Sequence, residues 1–277
     1  MRWARLSLVV TIVGLLGVMM TRQTSHPADP DARLMIFGPD GQKVSGRLFS
    51  TARVSDHPRL VVVIHGDAPG HDPVYQYHFA RTLAADLDDT LVLAVLRPGY
   101  NDGMGAKSNG YRGLAVGDNY TEDAADRLGA AVAEAAARLH ARDVRVIGHS
   151  GGAALSLIML AQRPGLASGA LVAACPCDLG PWRRHMARRN LNPFFLFPVR
   201  SVSPLAKVDR LPTGLDIRIM IGQQDSIAPV WLSERLLRAA RARGLHARLT
   251  IIPGAGHEIL ENPAVIAAAR DLAVSEH

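Results

Sequence analysis

The amino-acid sequence predicts an α/β fold, with a mostly parallel sheet that carries helices on both of its faces. Six short apolar runs, rich in β-branched residues, alternate along the chain with helical stretches. Such runs are typical of strands covered on both sides, and the alternation predicts right-handed crossovers between them. The chain has 277 residues, of which 48% are hydrophobic, so it can bury one sizeable core.

The predicted elements follow one another in a regular order. A leading antiparallel hairpin is predicted from residues 35–37 and 44–49, which flank a Pro-Asp-Gly turn. The six apolar runs cover residues 60–65, 91–96, 144–147, 169–174, 217–221 and 247–252. Between and after them, helices are predicted within residues 118–142, from about residue 153, and over residues 231–243 and 262–272. Asn119 or Thr121 is a plausible N-cap for the first of these helices.

Residues 1–28 predict an export or anchor segment with a linker. Arg2 and Arg5 precede fifteen uncharged residues, 6–20, and this order is typical of a secretory signal. The run is shorter than the ~20 apolar residues of most membrane spans, and no small-x-small cleavage pattern follows it. A cleaved signal peptide and an uncleaved membrane anchor are therefore both open. Either one places the predicted domain, residues 29–277, outside the cytoplasm: periplasmic, secreted or anchored to the membrane.

The composition argues against several classes of protein. The chain has 31 Lys and Arg against 25 Asp and Glu, an excess of 6 that is almost entirely arginine. Only 5% of the residues are aromatic, which disfavours a base-stacking platform, and we expect no nucleic-acid partner. Cys175 and Cys177 are separated by one residue. Because so short a loop strains a disulfide, we expect free and mostly buried thiols.

The most informative motif follows the predicted strand at residues 144–147. Residues 148–152 have the sequence Gly-His-Ser-Gly-Gly and precede an apolar helix. This G-x-S-x-G pattern between a strand and a helix is typical of a strained turn that projects Ser150 above the sheet. His149 is expected to pack beside the serine without acting as a base.

Two further strand ends provide the residues that a nucleophilic serine needs. Asp225 follows the strand at residues 217–221, and His257 follows the strand at residues 247–252 after a Gly-rich turn. A serine hydroxyl needs a base to remove its proton, and a carboxylate orients that base. The order Ser150, Asp225, His257 is the chain order of such a triad on this architecture. Asp178, directly after the strand at residues 169–174, is an alternative position for the acid.

An oxyanion hole is predicted from two backbone N–H groups. One belongs to Gly151, at the start of the helix that follows Ser150, and the other to Asp67, in the loop after the strand at residues 60–65. The Asp67 carboxylate would oppose a neighbouring oxyanion unless it points away or pairs with Arg97 or Arg112. The spacing of the nearby histidines and aspartates matches no metal-ligand set, so no metal site is predicted.

Together these residues resemble the α/β-hydrolase superfamily, and in particular its prolyl-oligopeptidase-type and esterase-like branch. The resemblance covers residues 32–275 approximately. It is carried by the nucleophile motif at residues 148–152, by Ser203-Pro204-Leu205 before the acid strand, by Gly222 to Asp225, and by Gly254 to His257. It implies an α/β-hydrolase fold and a Ser-His-Asp triad. The chemistry of such a triad requires no cofactor, and none is expected. Because the chain has no large N-terminal propeller, the resemblance favours a small esterase over an oligopeptidase.

The segment of residues 176–216 is too long for a simple connection. It predicts a small cap between the sixth and seventh strands, with Trp182, Phe194 and Phe195 as candidate substrate-binding residues and with arginines suited to an anionic substrate or a membrane headgroup. A second interpretation has these aromatics packing the cap onto the sheet. Tyr100, in the loop of residues 97–118, is a further candidate substrate-binding residue on the opposite rim.

The sequence therefore predicts an exported serine hydrolase, most simply a carboxylesterase. Its expected substrate is a small-molecule ester, or a short peptide if the chain is a peptidase. A peptidase or an acyltransferase would use the same triad, and a non-catalytic binding protein of the same fold is the alternative from another class. Membrane association through the N-terminus is a further expectation.

Overall fold

The structure, a computed structural model, describes residues 32–50 and 53–275. The predicted export or anchor segment lies outside the described residues and stays a prediction. Within these two ranges, no helix is both long enough and apolar enough to cross a membrane.

The described residues form one eight-stranded sheet, in the order β1-β2-β4-β3-β5-β6-β7-β8. The strands are β1 (Arg33–Phe37), β2 (Val44–Ser50), β3 (Arg59–Ile64), β4 (Thr90–Val95), β5 (Asp143–His149), β6 (Gly169–Ala173), β7 (Asp216–Gly222) and β8 (His246–Ile252). Strand β2 pairs antiparallel with both β1 and β4, and all other pairs are parallel. The sequence predicted each of these strands and the leading hairpin.

The described residues form six α-helices. They are α1 (Tyr75–Ala85), α2 (Glu122–Arg138), α3 (Gly151–Gln162), α4 (Leu179–Arg189), α5 (Val230–Ala242) and α6 (Pro263–Val274). All of them except α4 pack on strands of the sheet. Helices α1 and α6 contact each other, whereas α3 contacts α2. Because α3 and α6 both pack on β5 and β6, they occupy opposite faces. Helices α1 and α4 have no counterpart among the helices predicted from the sequence.

Local signals explain where several helices begin. The Thr121 side chain accepts a hydrogen bond from the Ala124 N–H at 3.1 Å, so Thr121 and not Asn119 is the N-cap of α2. Asn262 caps α6 in the same way through the Ala264 N–H. Helix α3 is apolar on all sides and almost entirely buried, which fits its central position against the middle strands.

The predicted cap segment, residues 176–216, lies between β6 and β7. It contains α4 and two short 3₁₀ helices, Pro193–Leu196 and Pro204–Arg210. The second 3₁₀ helix follows Ser203, whose hydroxyl accepts a hydrogen bond from the Leu179 N–H, and packs on α3. The Leu205 N–H donates to the Cys177 carbonyl at 2.9 Å. These contacts fasten the segment to the carboxyl end of β6.

The cysteines differ from the sequence-based expectation of free thiols. Cys175 and Cys177 form a disulfide. The chain turns sharply at the end of β6, where Ala174 adopts a φ of +50°, and the Cα atoms of the two cysteines lie 5.1 Å apart. This separation is within the ordinary range for a disulfide, so the backbone turn removes the obstacle that the short spacing suggested.

The disulfide predicts a simple thiol count. Protein unfolded in denaturant without reductant should show no titratable thiol, and protein unfolded with reductant and then desalted should show both. Replacing both cysteines, Cys175→Ala with Cys177→Ala, should lower the free energy of unfolding by only about 1–2 kcal/mol, because the closed loop is so short. Two reactive thiols in the unreduced, unfolded chain would contradict the bond.

Candidate active site

The turn between β5 and α3 holds Ser150 in a strained backbone conformation. Its φ is +51°, a value that non-glycine residues rarely adopt. The flanking glycines make the turn possible, since a Cβ on Gly152 would run into the Ile64 carbonyl oxygen and one on Gly148 would run into Ala153. Helix α3 can therefore start directly against the end of β3, with Ser150 at the apex of the turn.

A hydrogen-bonded chain joins the three predicted triad residues. The Ser150 Oγ lies 3.0 Å from the His257 Nε2, and the His257 Nδ1 lies 2.8 Å from the Asp225 Oδ2. The other carboxylate oxygen, Asp225 Oδ1, accepts the backbone N–H groups of Ile227 and Ala228 at 2.8 and 2.7 Å. Two backbone donors thus fix the carboxylate, the carboxylate fixes the imidazole, and the imidazole meets the hydroxyl.

The loops after β7 and β8 are in direct contact, and this contact positions His257. A Cβ on Gly222 would run into the carbonyl oxygens of Ala255 and Gly256, so the absent side chain lets the second loop cross the end of β7. The Gln224 N–H donates to the Ala255 carbonyl at 2.8 Å. Asp225 and His257 are 32 residues apart in the chain, yet these contacts hold them together.

Asp178, the alternative acid, does not contact His257. Its carboxylate Oδ2 lies 2.7 Å from the Arg235 Nη2 of α5, without an N–H bond aligned on it. The residue precedes α4 at the end of β6. The structure therefore brings Asp225, and not Asp178, to the histidine.

The two predicted oxyanion donors lie beside Ser150. Gly151 opens α3, so its N–H belongs to the first helical turn and has no partner within the helix. The N–H of Asp67 makes no hydrogen bond to another described residue. The Asp67 carboxylate lies close to Gly151, because a Cβ on Gly151 would meet the Asp67 Oδ1 at 2.8 Å. A negative charge in this position needs a partner.

That partner is Arg97, as the sequence allowed. The Arg97 Nη1 donates to the Asp67 Oδ1 at 2.7 Å, and both side chains are almost fully buried. The Asp67 Oδ2 accepts the Tyr120 hydroxyl at 2.5 Å and the Gly117 N–H at 3.0 Å. Arg112, the other candidate, donates instead to the carbonyls of Ala68 and His71. The sequence did not indicate Tyr120, which approaches from the start of α2.

His65 joins the same cluster from the end of β3. Its Nε2 accepts the Arg97 backbone N–H at 3.0 Å, so its Nδ1 carries the proton and donates to the Gly66 carbonyl at 2.7 Å. Burial, together with the positive charge of Arg97, holds the pKa of His65 well below its ordinary value of 6.5. Neutral His65 therefore connects the end of β3 to the end of β4 through hydrogen bonds.

A second buried histidine, His149, links the loop after β3 to the loop that carries His257. The His257 carbonyl oxygen can only accept, so the His149 Nε2, at 3.1 Å, carries a proton and donates to it. The His149 Nδ1 then accepts from the Tyr75 hydroxyl at 2.8 Å, and that hydroxyl accepts the Gly66 N–H at 2.6 Å. Burial lowers the pKa of His149, which favours this neutral form. His149 thus supports the site, as its sequence position suggested.

The predicted substrate-binding residues fall into two groups. Trp182 is buried and donates from its Nε1 to the Ile227 carbonyl at 2.8 Å, and Tyr100 is buried against His65 and the guanidinium of Arg97. Both side chains are therefore packed among protein groups next to the site. Phe195 packs edge-on against the Trp182 ring, whereas Phe194 is largely exposed. The packing interpretation of the aromatics thus describes Trp182 and Phe195.

The Asp67–Arg97 pair should show strong coupling in a double-mutant cycle. Arg97→Met leaves a buried carboxylate uncompensated and should lower the free energy of unfolding by about 3–5 kcal/mol. Adding Asp67→Asn removes that carboxylate and should recover much of the loss. Urea unfolding of the wild type, both single variants and the double variant measures the coupling. Additive single-variant effects would show that the pair does not act as a unit.

The two buried neutral histidines predict a loss of stability in mild acid. Both have native pKa values below 6.5, so between those values and pH 6.5 the unfolded chain binds protons that the native protein does not. The free energy of unfolding should be at its full value above pH 6.5 and fall below it, by at most about 1.4 kcal/mol per pH unit for each histidine.

His149→Gln should reduce this pH slope, whatever it does to the stability at neutral pH. His246→Gln, at an exposed position on β8, is the matched control and should keep the wild-type slope. The measurement is denaturant unfolding at several pH values between 5 and 7.5. Equal slopes in the wild type and His149→Gln would contradict a neutral His149.

Comparison with known proteins finds a matching protein family and similar solved structures. The model of the alpha/beta hydrolase family matches residues 61–269, which is most of the chain. Among solved structures, Est1E from Butyrivibrio proteoclasticus, determined with ferulic acid bound, is similar with a TM-score of 0.63 and 18% identity. The match covers 86% of this chain and 96% of that one.

Two longer proteins are similar over part of their length. The acylaminoacyl peptidase of Pyrococcus horikoshii gives a TM-score of 0.65 and 14% identity over 87% of this chain and 40% of its own. A puromycin-hydrolyzing peptidase of Mycobacterium tuberculosis is similar with a TM-score of 0.62 and 18% identity. The match covers 86% of this chain and 37% of that one. The sheet order, the turn at Ser150 and the family match agree with the resemblance seen in the sequence: the chain belongs to the α/β hydrolase family.

Proposed function

We propose that the chain is a serine hydrolase that cleaves a carboxylic ester through an acyl-enzyme on Ser150. The observation that carries this proposal is the hydrogen-bonded chain from Ser150 through His257 to Asp225, with distances of 3.0 and 2.8 Å. Each of the three residues follows a different parallel strand at its carboxyl end, which is where sites of open α/β sheets lie.

The geometry assigns a role to each residue. The His257 Nε2 takes the Ser150 proton as the Oγ attacks the ester carbonyl carbon, and it then gives that proton to the departing alkoxide. The Asp225 carboxylate, held by two backbone donors, keeps the His257 Nδ1 protonated and stabilises the imidazolium. Water then attacks the acyl-enzyme by the same route, with His257 again acting as base and then acid.

The oxyanion would bind the N–H groups of Gly151 and Asp67. Both belong to backbone that other contacts hold in place: Gly151 by the turn at Ser150, and Asp67 by its own side chain. Preorganised donors of this kind stabilise the developing charge without reorganising during the reaction. The Arg97 guanidinium cancels the Asp67 charge, which would otherwise oppose the oxyanion.

A peptidase is the second candidate, since amides use the same acyl-enzyme route. The similarity to the acylaminoacyl peptidase favours it. The match covers only 40% of that chain but 96% of Est1E, whose structure has ferulic acid bound. The ester is therefore the preferred substrate class, and a panel of peptide–aminomethylcoumarin substrates tests the alternative.

Export is part of the proposal. The apolar segment at residues 6–20 follows two arginines, and the Cys175–Cys177 disulfide supports export because such bonds persist in oxidising compartments. An epitope-tagged full-length chain, followed in cell fractions by protease accessibility, would locate the domain. Protection of the domain in intact spheroplasts would overturn this part of the proposal.

The activity is tested with p-nitrophenyl esters from acetate to laurate. Ser150→Ala should lower kcat/KM by at least about 10³-fold, and Asp225→Asn by about 10³–10⁴-fold, because the histidine loses its orientation. The same preparations should show fluorophosphonate labelling of the wild type and none of Ser150→Ala.

Asp178→Asn is the matched control for the acid. It changes a carboxylate at a neighbouring strand end that does not reach His257, so its kcat/KM should stay close to that of the wild type. Loss of activity in Asp178→Asn with full activity in Asp225→Asn would refute the assigned triad. Folded wild type that neither turns over esters nor takes the label would refute the proposed function.

A further inference from the structure

One stretch of the chain combines strong positive charge with exposed apolar side chains. Residues 179–208, which include α4, contain no Asp or Glu. Their basic residues are Arg183, Arg184, Arg188, Arg189, Arg200 and Lys207. The same stretch contains a short segment with exposed apolar side chains, residues 191–197, which we call the apolar tip.

The apolar tip exposes large hydrophobic side chains to solvent. Leu191 is 89% exposed, Phe194 69%, Leu196 60% and Phe197 58%. Isolated exposed apolar residues are ordinary on protein surfaces, but a contiguous group is typical of an interaction site. Side chains this exposed protrude from the surface. They are therefore better suited to inserting into an apolar medium than to forming a groove that binds a peptide.

The backbone of the apolar tip is fixed by specific contacts. Buried Arg183 donates from its Nη2 to the carbonyls of Phe194 and Phe197, at 3.3 and 3.2 Å. The Asn192 side chain accepts the Phe194 N–H at 3.0 Å. Phe195 packs beneath, edge-on against the Trp182 ring. The protruding side chains thus stand on an ordered base.

The arginines around the apolar tip have no acidic partner among the described residues. Arg184, Arg188, Arg189 and Arg200 are exposed and form no ion pair with a described Asp or Glu. Arg189 contacts the Ser226 hydroxyl and the Asn190 side chain, which are both neutral. We call these four residues the basic rim. Its charge is available to an external anionic surface.

The positive charge of this surface distinguishes between two candidate occupants, a second copy of the chain and a lipid bilayer. A second copy docked by a two-fold axis would place one basic rim against another, and like charges would oppose the contact. An anionic bilayer offers phosphate groups to the guanidinium groups and an apolar interior to the phenylalanine and leucine side chains. We propose that the apolar tip and the basic rim together form a docking surface for an anionic lipid membrane.

The docking surface lies close to the candidate active site. Trp182, beneath the apolar tip, packs against Tyr120 at a ring separation of 6.3 Å, and the Tyr120 hydroxyl binds Asp67. Helix α4 also starts at the carboxyl end of β6, the sheet edge that carries Ser150. Docking would therefore turn this edge toward the lipid. The docking itself does not depend on the proposed ester hydrolysis.

The test places an environment-sensitive fluorophore on the apolar tip of the full-length protein. Phe197→Cys provides the attachment point, and Ile36→Cys, exposed on β1 at the other end of the sheet, is the matched control. Vesicles contain phosphatidylcholine with phosphatidylglycerol, or phosphatidylcholine alone. We expect a blue shift of the label on F197C with the anionic vesicles only, and no shift on I36C. The N-terminal segment is present in every sample.

Charge reversal tests the basic rim. Arg184→Glu with Arg188→Glu should weaken the partitioning of labelled F197C by at least about tenfold, and added salt should weaken the wild type in the same direction. Arg238→Glu with Arg241→Glu, exposed on α5, makes the same change in net charge and should have a much smaller effect. An unchanged thermal unfolding midpoint in both double variants shows that the fold is intact.

Several outcomes would overturn the proposal. One is a vesicle-bound protein whose label on F197C does not shift, since the N-terminal segment alone would then account for binding. Others are equal shifts on F197C and I36C, equal losses in the two double variants, or a shift that appears only with self-association at high protein concentration. Hydrolysis of p-nitrophenyl acetate by the Arg184→Glu, Arg188→Glu variant, measured without vesicles, distinguishes failure of docking from failure of the proposed function.

Discussion

The close approach of α3 to the end of β3 is the constraint on which the rest of the site depends. It requires a residue without a side chain at position 152, beside the carbonyls of Ile64 and His65, and it forces Ser150 into a backbone conformation with a φ of +51°. Such strain persists only when the surroundings hold it. Here the Ser150 N–H donates to the Ala173 carbonyl at 2.8 Å, and α3 is buried on all sides.

Around this turn, two buried histidines each use one ring nitrogen as a donor and the other as an acceptor. His65 and His149 are both neutral, and each spans two chain segments that are distant in sequence. Burial keeps them neutral, and neutrality lets each ring donate at one nitrogen and accept at the other. A charged imidazole would lose its acceptor. In the proposed mechanism His257 has the opposite requirement, because it would have to gain a proton during the reaction.

The Asp67–Arg97 pair shows how a carboxylate can be buried beside the predicted oxyanion hole. Its carboxylate lies near the start of α3, where the helix dipole and the free N–H groups favour negative charge. The carboxylate is held by a guanidinium, a tyrosine hydroxyl and a backbone N–H. Because these three partners hold the Asp67 carboxylate in place, they also hold the backbone N–H of Asp67 in place.

Sequence by itself determined the fold class, the eight strands, the order of Ser150, Asp225 and His257, and the glycines that make their turns possible. These features depend on local patterns: short apolar runs, strand-to-helix turns and the residue at each strand end. It also narrowed the partner of Asp67 to Arg97 or Arg112. The same local logic led to free cysteines, because the spacing alone did not show the backbone turn at Ala174.

Tertiary structure decided which of the possible contacts form. It selected Asp225 over Asp178, Arg97 over Arg112 and Thr121 over Asn119. It also brought to the site Tyr120, which precedes α2, and Tyr75 of α1. It also buried Trp182 and Tyr100 while exposing Phe194. The physical reason is that contacts between residues tens of positions apart depend on how the loops at the sheet edge pack, and local sequence patterns carry no record of that packing.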